Sequence, residues 1–108
     1  MENLIPVNYD AEQPTVSARD LHDALGIKKR FSLWFSRYSD CFEKDEDFTS
    51  VGKPTVVNNG AKIMLVDYSI TVDMAKHISM MTKTKKGKLI RQYFIDLEKA
   101  WNRFLLEP

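Results

Sequence analysis

Apolar residues recur with a helical period in two short segments of the N-terminal half. In the first, Ser17 and Asp20 have the spacing of a capping box, and Gly26 can take the left-handed position that ends a helix. The apolar positions of this segment are Ala18, Leu21, Ala24 and Leu25, and those of the next are Phe31, Trp34, Phe35 and Tyr38. The pattern predicts helices over residues 18–25 and 29–38, joined by one tight turn.

Turn residues interrupt the middle of the chain. Gly52, Pro54 and the run from Asn58 to Gly60 break the periodicity, and Asn-Gly is a hairpin-turn signal. The sequence therefore predicts one small antiparallel hairpin, in which a strand at 48–51 or 55–57 pairs with 61–67. Residues 1–14 show no period, which predicts an extended N-terminal arm before a domain over 15–108.

Two further helices are predicted in the C-terminal half. Thr71 can cap a helix whose apolar face is Met74, Ala75, Ile78 and Met81. The longest helix, about 86–105, has a wide stripe consisting of Leu89, Ile90, Tyr93, Phe94, Leu97, Trp101, Phe104 and Leu105. The expected fold is α+β, a small helix-rich domain with a helix-turn-helix-like pair, one hairpin and a long C-terminal helix. The expected core includes Leu21, Leu25, Phe31, Trp34, Phe35, Ile78, Phe94 and Leu97.

Composition narrows the class of protein. The chain has 108 residues, enough for one domain, and its 11% aromatic content argues against disorder. The sequence has neither an apolar run of membrane-spanning length nor the basic and apolar regions of a signal peptide, so we expect a cytoplasmic protein without membrane contact. A single cysteine, Cys41, agrees with a reducing compartment.

Charge is strongly segregated although the net charge is only +1. Residues 28–38 carry four cations and no anion, whereas residues 73–92 carry six cations and one anion. The candidate partner-binding or nucleic-acid-binding residues are Lys28, Lys29, Arg30, Arg37, Lys83, Lys85, Lys86, Lys88 and Arg91. Such stretches suit a polyanion or an acidic protein surface if they meet in space, and the alternative is a set of solvated faces.

The segment from Leu21 to Trp34 resembles a helix-turn-helix, with Gly26 in the turn. The fit is imperfect, because His22 occupies the usual position of a small residue and Phe31 comes one position early. A DNA-reading helix and a merely structural two-helix corner therefore remain alternatives. His22 and His77 have no metal-ligand spacing, and no nucleophile motif is present, so we expect no enzyme activity, metal or cofactor.

Motifs spaced along the chain resemble one known family. They are Val16 to His22, Gly26-Ile27 with Arg30, Phe31 and Trp34, Asp47-Phe48, Tyr68 with Thr71 and Met74 to Lys76, Ser79-Met80, Gly87, and Arg91 with Phe94, Ile95 and Glu98. Together, over about residues 15–101, they resemble the AntA/AntB-type phage antirepressor domain. The resemblance implies a regulator that binds and inactivates a phage repressor in the bacterial cytoplasm and so favours lytic growth. DNA binding by the basic stretches is the alternative.

The C-terminal stripe also predicts self-association. Ile90, Phe94, Leu97, Trp101 and Phe104 have heptad-like spacing. A core of this size has little left to cover the end of the helix, so we expect a homodimer in which Trp101, Phe104 and Leu105 contact the second copy. The alternative is that this face packs on the domain's own core.

Overall fold

A computed structural model describes residues 5–9, 13–57 and 59–106, and their side chains except those of 53 and 104–106. The elements follow in the order β1 (Thr15–Ser17), α1 (Ala18–Ala24), α2 (Phe31–Ser39), β2 (Phe48–Val56), β3 (Lys62–Thr71), α3 (Val72–Met81) and α4 (Lys85–Leu106). The small helix-rich α+β fold predicted from the sequence is confirmed.

Helix α1 begins at the predicted cap. The Ser17 hydroxyl accepts a hydrogen bond from the backbone N–H of Asp20 at 3.2 Å. The same hydroxyl donates to the carboxylate of Asp67 at 2.5 Å, and this carboxylate also accepts from the backbone N–H groups of Arg19 and Tyr68. Asp67 is buried, and its carboxylate accepts these three hydrogen bonds where α1 meets β3.

The connection between α1 and α2 differs from the predicted tight turn. Helix α1 ends one residue earlier and α2 begins two residues later than expected, which leaves the six residues 25–30 between them. A helix-turn-helix has a turn of three to four residues. Lys28, Lys29 and Arg30 therefore all precede α2, whereas the helix predicted over 29–38 included Lys29 and Arg30.

The sheet has three antiparallel strands in the order β1-β3-β2. Strand β1, which the sequence pattern did not predict, pairs Val16 with Ile70, and the hairpin is longer than predicted. On the core side, Tyr68 stacks on Phe35 of α2 with ring centroids 4.2 Å apart, and Phe48 packs edge-on against both rings. Helix α2 therefore covers the base of the hairpin.

Helices α3 and α4 are joined by the three residues 82–84. Thr71 caps α3 as predicted, since its hydroxyl accepts from the backbone N–H of Met74. The Thr84 hydroxyl accepts from the N–H of Gly87 at the start of α4. The predicted inward positions of Met81 and Leu89 are wrong, because these side chains are 45% and 57% exposed at this junction.

The eight residues predicted for the core are all buried. The N-terminal arm adds Ile5, which is 1% exposed, and the hydroxyl of Tyr93 donates a hydrogen bond of 3.0 Å to the Ile5 carbonyl. Burial raises the pKa of Tyr93. Residues 5–9 are thus packed on α4 rather than merely extended beside it.

The helices of the described ranges differ from membrane-spanning helices. None of them combines the length and the apolarity that a membrane crossing needs.

Candidate partner-binding surface

The first basic stretch is held in place by His22. Its Nε2 lies 2.7 Å from the carbonyl oxygen of Lys29, and its ring packs edge-on against Phe31 and Trp34. Lys28, Lys29 and Arg30 are exposed. The anchored backbone therefore presents three cationic side chains to solvent just before α2.

The second basic stretch lies at the junction of α3 and α4. Lys83, Lys85, Lys86 and Lys88 are exposed, and Arg91 is half-buried one turn further along α4. Because the Thr84 cap and Gly87 fix the first turn of α4, the backbone that carries these cations has a defined position.

The two basic stretches meet at Gly26. This glycine has a φ of +67°, as its predicted role at the end of a helix requires, and it lies two residues before Lys28. A Cβ placed on it would be 3.0 Å from the Nζ of Lys86 and 3.2 Å from its Cδ. The Lys86 side chain thus lies directly on the α1–α2 connection. We call the resulting surface, consisting of Lys28, Lys29, Arg30, Lys83, Lys85, Lys86 and Lys88, the joined basic surface.

Arg37, the other predicted cation of the first stretch, lies on the exposed side of α2. Among the contacts of the described residues, none links Arg37 to the joined basic surface. Two apolar side chains accompany that surface instead, since Met81 and Leu89 are exposed on α3 and α4 where the second stretch lies. A mixture of cations and exposed apolar groups is suited to an acidic protein surface as well as to phosphates.

A groove of about 540 Å³ separates the α1–α2 connection from the hairpin. Its walls include Arg19, Arg30 and Leu65. The Nε of Arg19 donates to the carbonyl of Val66 at 2.7 Å, and its guanidinium lies 4.3 Å from the centre of the Phe31 ring. Arg19 was not among the predicted binding residues, because an isolated arginine in a short helix provides no signal for such a position.

The structure offers little for metal chemistry in the ranges it describes. Within them, no cluster of three or more His, Cys, Asp or Glu side chains is suitably arranged to hold a metal ion. His22 supports the connection, and His77 lies near Asp73 and the ring of Phe42.

The predicted self-association residues have a different environment from the one expected. Tyr9 of the same chain stacks on Trp101, with ring centroids 5.3 Å apart, and Trp101 is half-buried. Tyr9 therefore covers part of the Trp101 ring within a single chain, whereas the sequence led us to expect little cover at this end of α4. Phe104 and Leu105 have side chains outside the described set. Homodimerisation stays a prediction, which light scattering of the intact chain and of a chain lacking residues 100–108 would test.

These features define a small α+β domain, whose most distinctive surface joins two basic stretches that lie more than fifty residues apart in the sequence. The AntA/AntB antirepressor family matches residues 16–84, which is more than half of the chain, and the chain belongs to this family. The match ends before α4, whereas the motif resemblance extended to about residue 101. No individually curated protein and no solved structure matches the chain.

Proposed function

We propose that this protein is a phage antirepressor that binds a phage repressor stoichiometrically in the bacterial cytoplasm and so relieves repression of lytic genes. Membership of the AntA/AntB antirepressor family carries the proposal. Binding alone is sufficient for such an effect, because a ligand that favours the DNA-free repressor shifts the equilibrium away from the operator.

The joined basic surface is the proposed contact for the repressor. Its cations can steer an acidic partner, while Met81 and Leu89 supply apolar area that such a partner would cover. Rim charges mainly alter association rate and salt dependence, whereas buried apolar anchors supply most of the affinity. On α4, Leu89 follows Lys85 by four residues and Lys86 by three, so these side chains share one face of the helix.

The experiment uses purified protein, the repressor encoded by the same prophage, and labelled operator DNA. We expect the protein to release the operator while forming a protein–protein complex. Lys88→Glu should weaken release at least about tenfold, because a like charge replaces an attractive one at the interface. Lys99→Glu is the matched control, since Lys99 is also exposed on α4 and lies about 16 Å along the helix axis from Lys88. Equal effects of the two substitutions would contradict this surface assignment.

Direct DNA binding is the second candidate function, and the position of Lys86 beside Gly26 favours it by bringing a cation of the second stretch to the connection that carries the first. The six-residue connection argues against a conventional reading helix. If DNA is the ligand, the affinity of the protein for the operator alone should fall steeply with salt. A plot of the logarithm of the association constant against the logarithm of the salt concentration should have a slope of about −0.9 for each phosphate neutralised. Operator release without such binding supports antirepression.

The same mixture also tests whether the protein acts on the repressor as an enzyme. We propose that the repressor leaves the mixture chemically unchanged, which intact-mass spectrometry measures. A cleaved or modified repressor would refute stoichiometric binding as the mode of action.

A further inference from the structure

Several large apolar side chains are exposed in the distal part of the hairpin. Beyond the base covered by α2, Val56, Met64 and Val66 are 64%, 66% and 58% exposed, and Ile63 is 42% exposed. Exposed apolar residues along an open strand are an association hazard in a free monomer. This part of the hairpin is therefore well suited to being covered.

The hydrogen-bond pattern between β2 and β3 shows which backbone groups of β3 point away from β2. Val57 donates to Ala61 at 2.9 Å, so this opposed pair is hydrogen-bonded. Pairs alternate in an antiparallel ladder, so Val56 with Lys62 and Pro54 with Met64 are non-hydrogen-bonded pairs. The N–H and C=O groups of Lys62 and Met64 consequently point away from β2.

In the distal part of the hairpin, the β3 edge is the one whose successive outward residues, Lys62 and Met64, each have an N–H to donate. On the β2 edge, Pro54 occupies an outward position and has no N–H to donate. On the β3 edge, β1 pairs with residues 69–71, and the carbonyl of Val66 already accepts a hydrogen bond from Arg19. Lys62 and Met64 thus leave four outward backbone groups beside the groove that contains Arg19 and Arg30.

Charge decides what can occupy this edge. The groove is lined by two cations, Arg19 and Arg30, and by one acid, Asp23, and Lys62 adds a third cation at the start of β3. A second copy pairing through β3 would bring the same cations against them, and opposed like charges destabilise strand pairs. An acidic segment would instead be attracted.

We infer that the open edge of β3 at Lys62 and Met64 captures an extended acidic peptide segment, which adds a strand to the sheet beside Arg19 and Arg30. Backbone hydrogen bonds to Lys62 and Met64 provide the pairing, and alternate apolar side chains of the segment cover Met64 and Val66. The inference rests on the proposed function only in naming the repressor as the protein that carries the segment.

The test uses the intact chain labelled with ¹⁵N and synthetic peptides of about eight residues that alternate Glu with Val and Thr. We expect saturable shift changes at Lys62 to Val66 and slower hydrogen exchange of the Met64 amide. A peptide with Lys in place of Glu should bind at least about tenfold more weakly. Absence of saturable binding, or binding centred on Lys83 to Lys88, overturns the inference. Concentration-dependent shifts at the β3 edge without peptide indicate a second copy and overturn it as well.

Two proline variants provide a matched pair. Met64→Pro removes an outward N–H from the β3 edge and should abolish peptide binding. Val56→Pro removes an outward N–H from the β2 edge at an equally exposed position, and it should leave binding unchanged. Neither change removes a hydrogen bond of the ladder, and circular dichroism verifies that both variants fold. Equal peptide binding by the two variants would refute the β3 edge as the binding site.

The operator-release assay separates this inference from the proposed function. If Met64→Pro releases the operator as well as the parent, antirepression stands and the β3 edge is not the repressor contact. If the parent fails to release the operator but still binds the acidic peptide through Met64, the edge stands and antirepression is refuted.

Discussion

Replacing Gly87 with alanine tests the backbone approach that positions the second basic stretch. A Cβ at this position would lie 2.1 Å from the carbonyl oxygen of Thr82 and 3.0 Å from that of Ser79. Both atoms belong to the backbone at the end of α3 and just after it, so no side chain can simply rotate away. The junction between α3 and α4 must open.

The expected cost follows from opposing contributions. Alanine is favoured over glycine inside a helix by about 1 kcal/mol, which includes its smaller loss of backbone entropy. Overpacking costs about 1–3 kcal/mol, and a 2.1 Å approach to a backbone oxygen belongs at or above the upper end. The net loss is therefore about 2 kcal/mol, which corresponds to a decrease in Tm of about 8–16 °C for a domain of this size.

Thermal and urea unfolding followed by circular dichroism measure this loss. Lys88→Ala is the control, because it changes an exposed neighbouring position in the same helix and should alter stability by less than about 0.5 kcal/mol. A Gly87→Ala variant as stable as the parent, or more stable, would refute the close packing of α4 against the end of α3.

Three further predictions concern the core and its polar groups. Trp34→Ala and Phe94→Ala should each cost about 3–5 kcal/mol in urea unfolding, and parent-like stability in both would contradict the core assignment. Asp67→Ala should cost about 2–3 kcal/mol because it leaves buried donors without their acceptor, and a neutral effect would show that these donors find other partners. Burial raises the pKa of Tyr93 above its ordinary value of 10.0, so its contribution to stability is complete below about pH 10 and is lost as pH rises through the folded-state pKa. Stability measured across this range should fall less steeply in Tyr93→Phe, and identical slopes would refute the assignment.

The helices were predictable because their apolar residues follow the helical period. Thr71 and Ser17 provide caps whose hydroxyls make the expected hydrogen bonds. The start of α2 was misplaced because Lys28 to Arg30 have no helix-breaking signal. In the structure Arg30 has a non-helical backbone, with a φ of −56° and a ψ of 144°, and the His22 ring lies within hydrogen-bonding distance of the Lys29 carbonyl.

The sheet was harder to predict than the helices. Strand β1 has three residues, too few for an alternating pattern, and its partner lies more than fifty residues away in the sequence. In β3 the run from Ile63 to Val66 is continuously apolar, which is typical of a buried strand. The ring contacts of α2 with the sheet are made at Tyr68 and Phe48, near the base of the hairpin, and Met64 and Val66 lie beyond them.

The joined basic surface could be anticipated only in part. The two groups of cations are visible in the sequence, but their meeting depends on the contact of Lys86 with Gly26, sixty residues apart. The stacking of Tyr9 on Trp101 is equally non-local. Pairwise contacts between distant residues have no local sequence pattern. The sequence therefore could not indicate that Tyr9 would cover Trp101 near the end of α4.

Titration of a repressor–operator complex with the intact protein tests the central claim most directly. Fluorescence anisotropy of labelled operator reports release, and the amount of protein at the end point reports the stoichiometry. Stoichiometric antirepression predicts a fall in anisotropy that ends at a fixed molar ratio of protein to repressor and does not advance with time. An increase in anisotropy, or release that continues with time at substoichiometric protein, would contradict it.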